Sequence, residues 1–269
     1  DEKGMTSLAH ACRGGHNDVV SLLLANGADL AVPNNHGDTP LMHALKGGHA
    51  DTALLIISKG SPVNVANEDG ETTLMLASGF DRVDTSLLIA SSAGHAAVAS
   101  LLLRNGATTS TADKEGTTSI TKAAQNGHTS AVQVLVQAGA EVNVKDGRGD
   151  TALIHAVRNN HPSITSILLD NGANIDEATQ KDRQTPLMIA SVHNFDDTAA
   201  VLLKHGASQE PVDRDGWTAF AHAACRGHTS IIAMFLEHGH AVDIQDKDGW
   251  TPLIFASSYN HVDVVTMLL

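Results

Sequence analysis

The chain has 269 residues, 42% hydrophobic and 17% charged, which is apolar enough to bury a core and excludes a disordered acidic chain. Its formal net charge of −13, with 17 Lys and Arg against 30 Asp and Glu, argues against a phosphate-binding role and leaves no expectation of a nucleic-acid partner. Cys12 and Cys225 stand alone and can build neither a disulfide framework nor a zinc ribbon, no apolar run approaches the ~20 residues that span a bilayer, and the opening DEKGMTSLAH has no signal-peptide pattern, so an intracellular, cytoplasmic protein is expected.

The first predicted element lies in Gly4–His16, GMTSLAHACRGGH. Thr6 places a side-chain oxygen where it can cap a helix, and Gly15 suits the left-handed residue that ends one. A second helix follows, with Val19, Val20, Leu22, Leu23 and Leu24 as its apolar pattern and Gly27 as its stop. The segment ADLAVPNNHG then reads as a projecting turn that leads to Gly37, where the pattern begins again.

The pattern recurs at Gly4, Gly37, Gly116, Gly149, Gly216 and Gly249, with Val83 and Arg183 in the glycine's place in two more copies. The steps 83→116, 116→149, 183→216 and 216→249 are 33 residues each, as is 4→37, and 149→183 is 34. The predicted caps are Thr6, Thr39, Thr85, Thr118, Thr151, Thr185, Thr218 and Thr251, each followed by Pro, Ser or Ala. The predicted left-handed stops of the first helices are the Gly or Asn at 15, 48, 94, 127, 160, 194, 227 and 260. Those of the second helices are Gly27, Gly60, Gly106, Gly139, Gly172, Gly206 and Gly239. One unit of this kind cannot bury its own apolar face, so neighbours must stack.

The repeated G-x-T-x-L-x-x-A, Gly-His and GA signals resemble the ankyrin repeat over almost the whole chain. The resemblance implies an all-α solenoid of about eight helix–turn–helix repeats with projecting turns, forming a single domain over 1–269. Three departures stand out. The fourth residue of the family's T-P-L-H motif is never histidine here but Ala9, Met42, Leu88, Thr121, Ile154, Met188, Ala221 and Ile254, so packing is expected to replace its hydrogen bonding. Neither end carries a polar capping repeat, and the chain reads as a piece of a longer array or protein. Residues 70–82, GETTLMLASGFDR, repeat a first-helix pattern with no second helix behind it. They form either a 13-residue insertion or a partial repeat; continuity with a second helix at 95–103 favours the insertion. Phe80 would then be an exposed aromatic available to a partner, unless the insertion is a plain surface loop.

Sixteen histidines raise the question of a metal. Seven, at 16, 49, 95, 128, 161, 228 and 261, share one inter-helix slot. His10, His43, His155 and His222 share a first-helix slot and are expected to rest against the neighbouring repeat. No H-E-x-x-H, C-x-x-C, G-x-S-x-G or P-loop occurs, so neither metal, cofactor nor catalysis is expected. The carboxylates gather at the turn tips, as in DKEG and DRDG, and are expected to form a solvated edge.

The resemblance places partner contacts on the concave side, at the turn tips and the exposed side of the first helices. Carried over by position, it selects Arg148, Arg158, Arg214, Trp217, Arg226, Trp250 and Tyr259. Trp, Tyr and Arg dominate binding hot spots, although Trp217 and Trp250 would also serve as a packed aromatic ladder. The arginines in an acidic chain favour a protein or extended peptide that carries some carboxylates. The expected function is therefore an intracellular interaction scaffold that is strongest at its C-terminal repeats. The alternatives are the recruiting segment of a larger enzyme, such as a ubiquitin ligase or kinase, or of a membrane channel or adaptor, and a small-ligand or metal receptor using the histidines. LVQAGAEVN also resembles the sequence around which ankyrin repeats are hydroxylated on asparagine, with Asn143 as the target and Asn64 as a poorer one; a purely turn-stabilising Asn143 is the plainer reading.

Overall fold

The computed structural model describes residues 1–62, 65–69, 87, 88, 90–104, 106–239 and 241–269. Segment 70–82 with Phe80, and also Asn64, Val83 and Thr85, lie outside the described residues.

Paired short helices run through the chain. The first helices of the units are Ser7–Arg13, Pro40–Gly47, Ser119–Gln125, Ala152–Arg158, Pro186–His193, Ala219–Arg226 and Pro252–Ser258. In the third unit, residues 87, 88 and 90–92 are helical at the same place. The second helices are Asn17–Ala25, Ala50–Ser58, Ala96–Arg104, Thr129–Gln137, Pro162–Asp170, Asp196–Lys204, Thr229–Glu237 and Val262–Leu268. No strand occurs among the described residues, only an isolated bridge between Ala112 and Thr118.

Local chemistry starts and stops each helix where the sequence places the signals. Thr6, Thr39, Thr151, Thr185, Thr218 and Thr251 accept a hydrogen bond from the backbone N–H three residues on. Thr118 does not; its hydroxyl pairs with that of Thr121 at 3.1 Å. All eight first-helix stops are left-handed, including Asn160, Asn194 and Asn260 at φ 54–60°, and so are the seven glycines that end the second helices. Arg183, in the place of the repeat glycine, has a φ of 56°.

Helices of seven to nine residues are marginal alone, so packing between units must hold them. First helix packs on first helix and second on second along the stack, and Ala50–Ser58 touches Ala96–Arg104 directly. The apolar residues of both layers form one continuous core, with Phe220, Phe235, Leu41, Leu135, Leu153 and Leu168 fully buried.

Two polar devices cross the seams between units. The slot shared by seven histidines is one of them. His128, His161, His228 and His261 each direct Nε2 to a backbone carbonyl of the preceding unit: Ser92, Gln125, Val192 and Cys225, at 2.9, 3.3, 3.4 and 2.9 Å. A neutral imidazole donates such a bond, so no charge or metal is required. The preceding unit's left-handed glycine leaves room for the ring: a Cβ on Gly227 would come within 2.6 Å of His261 Nδ1. In the sixth unit Phe195 takes the slot and stacks on His193. The second device joins the turn tips, whose backbones bond across seams at Asn35 N to Lys3 O, Glu68 N to His36 O and Arg214 N to Asp182 O.

Candidate partner-binding face

The turn tips and the exposed side of the first helices form one face, and six of the tips are organised by a side chain three residues before the repeat glycine; in the sixth unit Thr179 Oγ1 accepts from Gln184 N instead. Asp146 Oδ1 accepts from the backbone N–H groups of Arg148 and Asp150, and Asp213 Oδ1 accepts from those of Asp215 and Trp217. Asp1, Asn34, Asp113 and Asp246 do the same in their units. The other carboxylate oxygen reaches the first helix: His10, His155 and His222 each bring Nε2 to 2.8 Å from Asp1, Asp146 and Asp213.

Three expectations are corrected by this arrangement. The polar partner of His10, His155 and His222 is the tip of their own unit, and His43 likewise approaches Asn34 of its own tip, rather than the neighbouring repeat. The tip carboxylates are not all a solvated edge, since Asp38, Asp150 and Asp213 are buried. Nor is the hydrogen bonding of the T-P-L-H histidine missing throughout: besides the Thr118–Thr121 pair, Met188 Sδ accepts from Thr185 N at 3.5 Å.

Electrostatics separate the four candidate arginines. Arg158 is paired with buried Asp150 within its unit, as Lys46 is with Asp38 at 2.7 Å and Lys122 with Asp113 at 2.9 Å. Arg148 is exposed on its tip. Arg214 donates from Nη2 to Gln180 O of the preceding tip at 3.2 Å. Arg226 is exposed and lies 3.3 Å from His222 Nδ1. A guanidinium can only donate, so His222 Nδ1 accepts and its proton resides on Nε2, facing Asp213. His222 is thus neutral, and burial pulls its pKa below the usual histidine range against the opposing hydrogen bond and charge of Asp213. Arg226 keeps a full charge on the surface, with no carboxylate within salt-bridge range among the described residues.

The aromatic candidates meet around a residue that sequence reasoning did not select. Phe255 lies in the slot occupied by His222 one unit earlier. The Trp217 ring centroid sits 4.3 Å from that of Phe255, across the seam, and 5.1 Å from that of His222. Trp250 contacts Phe255 from the other side at 5.1 Å. Trp217 is half-buried, whereas Trp250 is exposed. Tyr259 is also exposed and stacks on His261 at 6.4 Å. The signal available in the sequence was the exchange of histidine for phenylalanine in a slot that pairs with a tip aspartate elsewhere.

Other singled-out groups are engaged within the fold. The Asn143 amide donates to Gly172 O at 2.9 Å, and its oxygen accepts from Asn174 N at 2.8 Å, tying adjacent units together. Burial pushes the Cys12 thiol up to about 11, and the Cys225 thiol is raised for the same reason, so both stay protonated. Ligand atoms of Asp146, Asp150 and His155 lie within 4.8 Å of one another, but they already bond to His155, Arg158 and the tip backbone. Burial pushes the Asp146 carboxyl up, and the bonds from His155 and the backbone outweigh it to hold it below the usual carboxylate range. No described helix is long and apolar enough to cross a membrane.

Stacked helix pairs, left-handed stops and tips that project from one side define a helical repeat solenoid. The family model described as ankyrin repeats (3 copies) matches residues 1–67, 73–146, 138–213 and 208–269, and the chain belongs to the ankyrin-repeat family. Comparison with curated proteins gives no match. Ankyrin repeats are in general protein–protein interaction modules.

Proposed function

We propose that the chain is a non-catalytic, intracellular interaction module that binds a protein or extended peptide on its tip and first-helix face, most strongly at the last two repeats. The observation that carries this reading is Arg226. Its charge is unpaired by carboxylate among the described residues and held beside His222, whose ring also contacts Trp217; Trp250 and Tyr259 are exposed in the next unit. Lys46, Lys122 and Arg158 are already neutralised by carboxylates of their own units. A partner that brings a carboxylate to Arg226 and apolar surface to Trp250 and Tyr259 matches this chemistry. Arg148 and Arg214 offer further exposed cations among the tip carboxylates, and Arg158 contributes only if a partner displaces it from Asp150.

The test is capture of partners from cell lysate by the wild-type chain and by an Arg226→Ala, Trp250→Ala, Tyr259→Ala variant, chosen because all three side chains are exposed. Circular dichroism checks that the variant remains folded. Loss of specific partners from the variant alone supports the reading; retention of the same partners refutes the C-terminal site. Trp217 is left intact because its loss would disturb the seam with Phe255.

A further inference from the structure

Nδ1 of His222 has room for one partner. It lies 3.3 Å from Nη1 of Arg226, one helical turn further along Ala219–Arg226, and the same Nη1 stands 3.5 Å from His222 O. Nε2 faces Asp213 at 2.8 Å. An imidazolium carries a hydrogen on both nitrogens and accepts at neither. Protonation of His222 therefore sets N–H against N–H, and positive charge against positive charge, on the Arg226 side alone. On the other side Nε2 goes on donating to Asp213, whose Oδ1 still accepts from the N–H groups of Asp215 and Trp217, so the tip is kept. The units with a histidine in the same slot lack this contest. His155 meets Asp146 in the same way, but Asn159 stands four residues on and donates to His155 O, while Arg158 is spent on Asp150. Gly14 and Gly47 hold that place after His10 and His43.

Few other charges bear on the ring. Burial opposes a proton on His222 most strongly, Asp213 favours one, Arg226 opposes it and Asp215 favours it, with the balance against the proton. Cys225, on the same helix, is a neutral thiol. Helix Pro252–Ser258, packed against one side, carries no titratable side chain. Helix Pro186–His193, on the other side, carries only His193, which stacks on Phe195. Helix Thr229–Glu237 carries only Glu237, its last residue. Of the tip cations, Arg214 donates to Gln180 O and Lys247 to Arg214 O.

We propose that Arg226 and a proton compete for Nδ1 of His222, so that the cation of this face is held back at neutral pH and released to an acidic partner as pH falls. The proposal rests on the reading of Arg226 as the anchor for that partner. A partner carboxylate that draws the guanidinium away vacates Nδ1 and cancels the charge that opposed protonation. His222 then binds a proton more readily in the complex than in the free chain, and by linkage the complex tightens as pH falls. The gain sets in below the pKa of His222 in the complex and is complete below that in the free chain. It fades only where the partner's own carboxylate is protonated, near about pH 4.

NMR titration of the imidazole nitrogens tests this on the 269-residue chain and on Arg226→Met, which keeps an apolar stem and removes charge and donors. Circular dichroism checks the fold at each pH. In the wild type Nδ1 of His222 should resonate as an acceptor nitrogen at neutral pH, and Arg226→Met should move the His222 midpoint upward. A second arm titrates in the capped peptide Leu-Glu-Leu, one carboxylate between apolar side chains, at about pH 5.5 and about pH 7.5, on either side of the usual histidine value. The wild type should bind it several-fold tighter at the lower pH, and Arg226→Met should bind it weakly and alike at both. An unchanged His222 midpoint in Arg226→Met overturns the proposal and leaves the site reading standing, as does wild-type binding that is equal at the two pH values. A peptide that binds at neither pH, or that binds Arg226→Met as well as the wild type, refutes Arg226 as the anchor and takes the pH control of binding with it.

Discussion

Gly227→Ala isolates what the Gly-His signal does at a seam. Gly227 has a φ of 76°, and a Cβ there would lie 2.6 Å from Nδ1 of His261, whose Nε2 bonds Cys225 O at 2.9 Å. Gly239, the other stop in the same unit, has a φ of 73° and nothing within 4 Å of such a Cβ. Left-handed backbone costs alanine ~1–2 kcal/mol at either position, and displacing the imidazole loses a further ~1 kcal/mol of hydrogen bonding at Gly227 alone. Gly239→Ala should therefore cost about 1–2 kcal/mol and Gly227→Ala about 2–3 kcal/mol. Urea titration followed by tryptophan fluorescence is the assay, since Trp217 and Trp250 flank this seam and Trp217 packs across it. In a His261→Ala background the excess cost at Gly227 should vanish. Equal costs at the two glycines, or an excess that survives without His261, would refute the steric account.

Two further outcomes follow from the buried groups. The pKa of His222 is lowered in the fold, so the unfolded chain binds the proton more readily and stability should fall as pH drops below the unfolded value of about 6.5. His222→Phe, which copies the residue at 255, should flatten that part of a urea-midpoint-against-pH curve; an unchanged slope would place the titration elsewhere, with His43 and His228 also lowered by burial. Phe235→Ala removes a fully buried ring set edge-on to Phe220 and should cost ~3–5 kcal/mol by denaturant titration, a value near zero being incompatible with the packing described.

Most of the fold was legible because ankyrin units place punctuation at fixed intervals. A threonine that caps, and a glycine or asparagine that turns left-handed, act within a few residues of themselves, so their consequences can be read without knowing the neighbours. The candidate partner-binding face was legible as a set of positions but not as a set of relations. Arg158 and Arg226 look alike in the sequence, yet one is spent on Asp150 and the other stays beside a neutral histidine. Phe255 escaped notice because its importance lies in Trp217 of the preceding unit and Trp250 of its own tip. Residues 70–82 gave a first-helix pattern without its second helix, and pattern alone does not decide between insertion and partial repeat.

Those relations repeat in a way that explains why the C-terminal end differs. Where the residue after the repeat glycine is aspartate, at Asp38 and Asp150, the residue eight further on is Lys46 or Arg158, and the pair closes within the unit. Where that residue is tryptophan, at 217 and 250, the partner slot holds Cys225 or Ser258 and no ion pair can form there. The cation then moves one position along to Arg226, where it is held by histidine rather than cancelled by carboxylate. Histidine itself gives way to Phe255 in the last unit, and the two tryptophans gather on it. The second and fifth units thus close an ion pair beside the repeat glycine, whereas the last two units carry tryptophan where that pair would form.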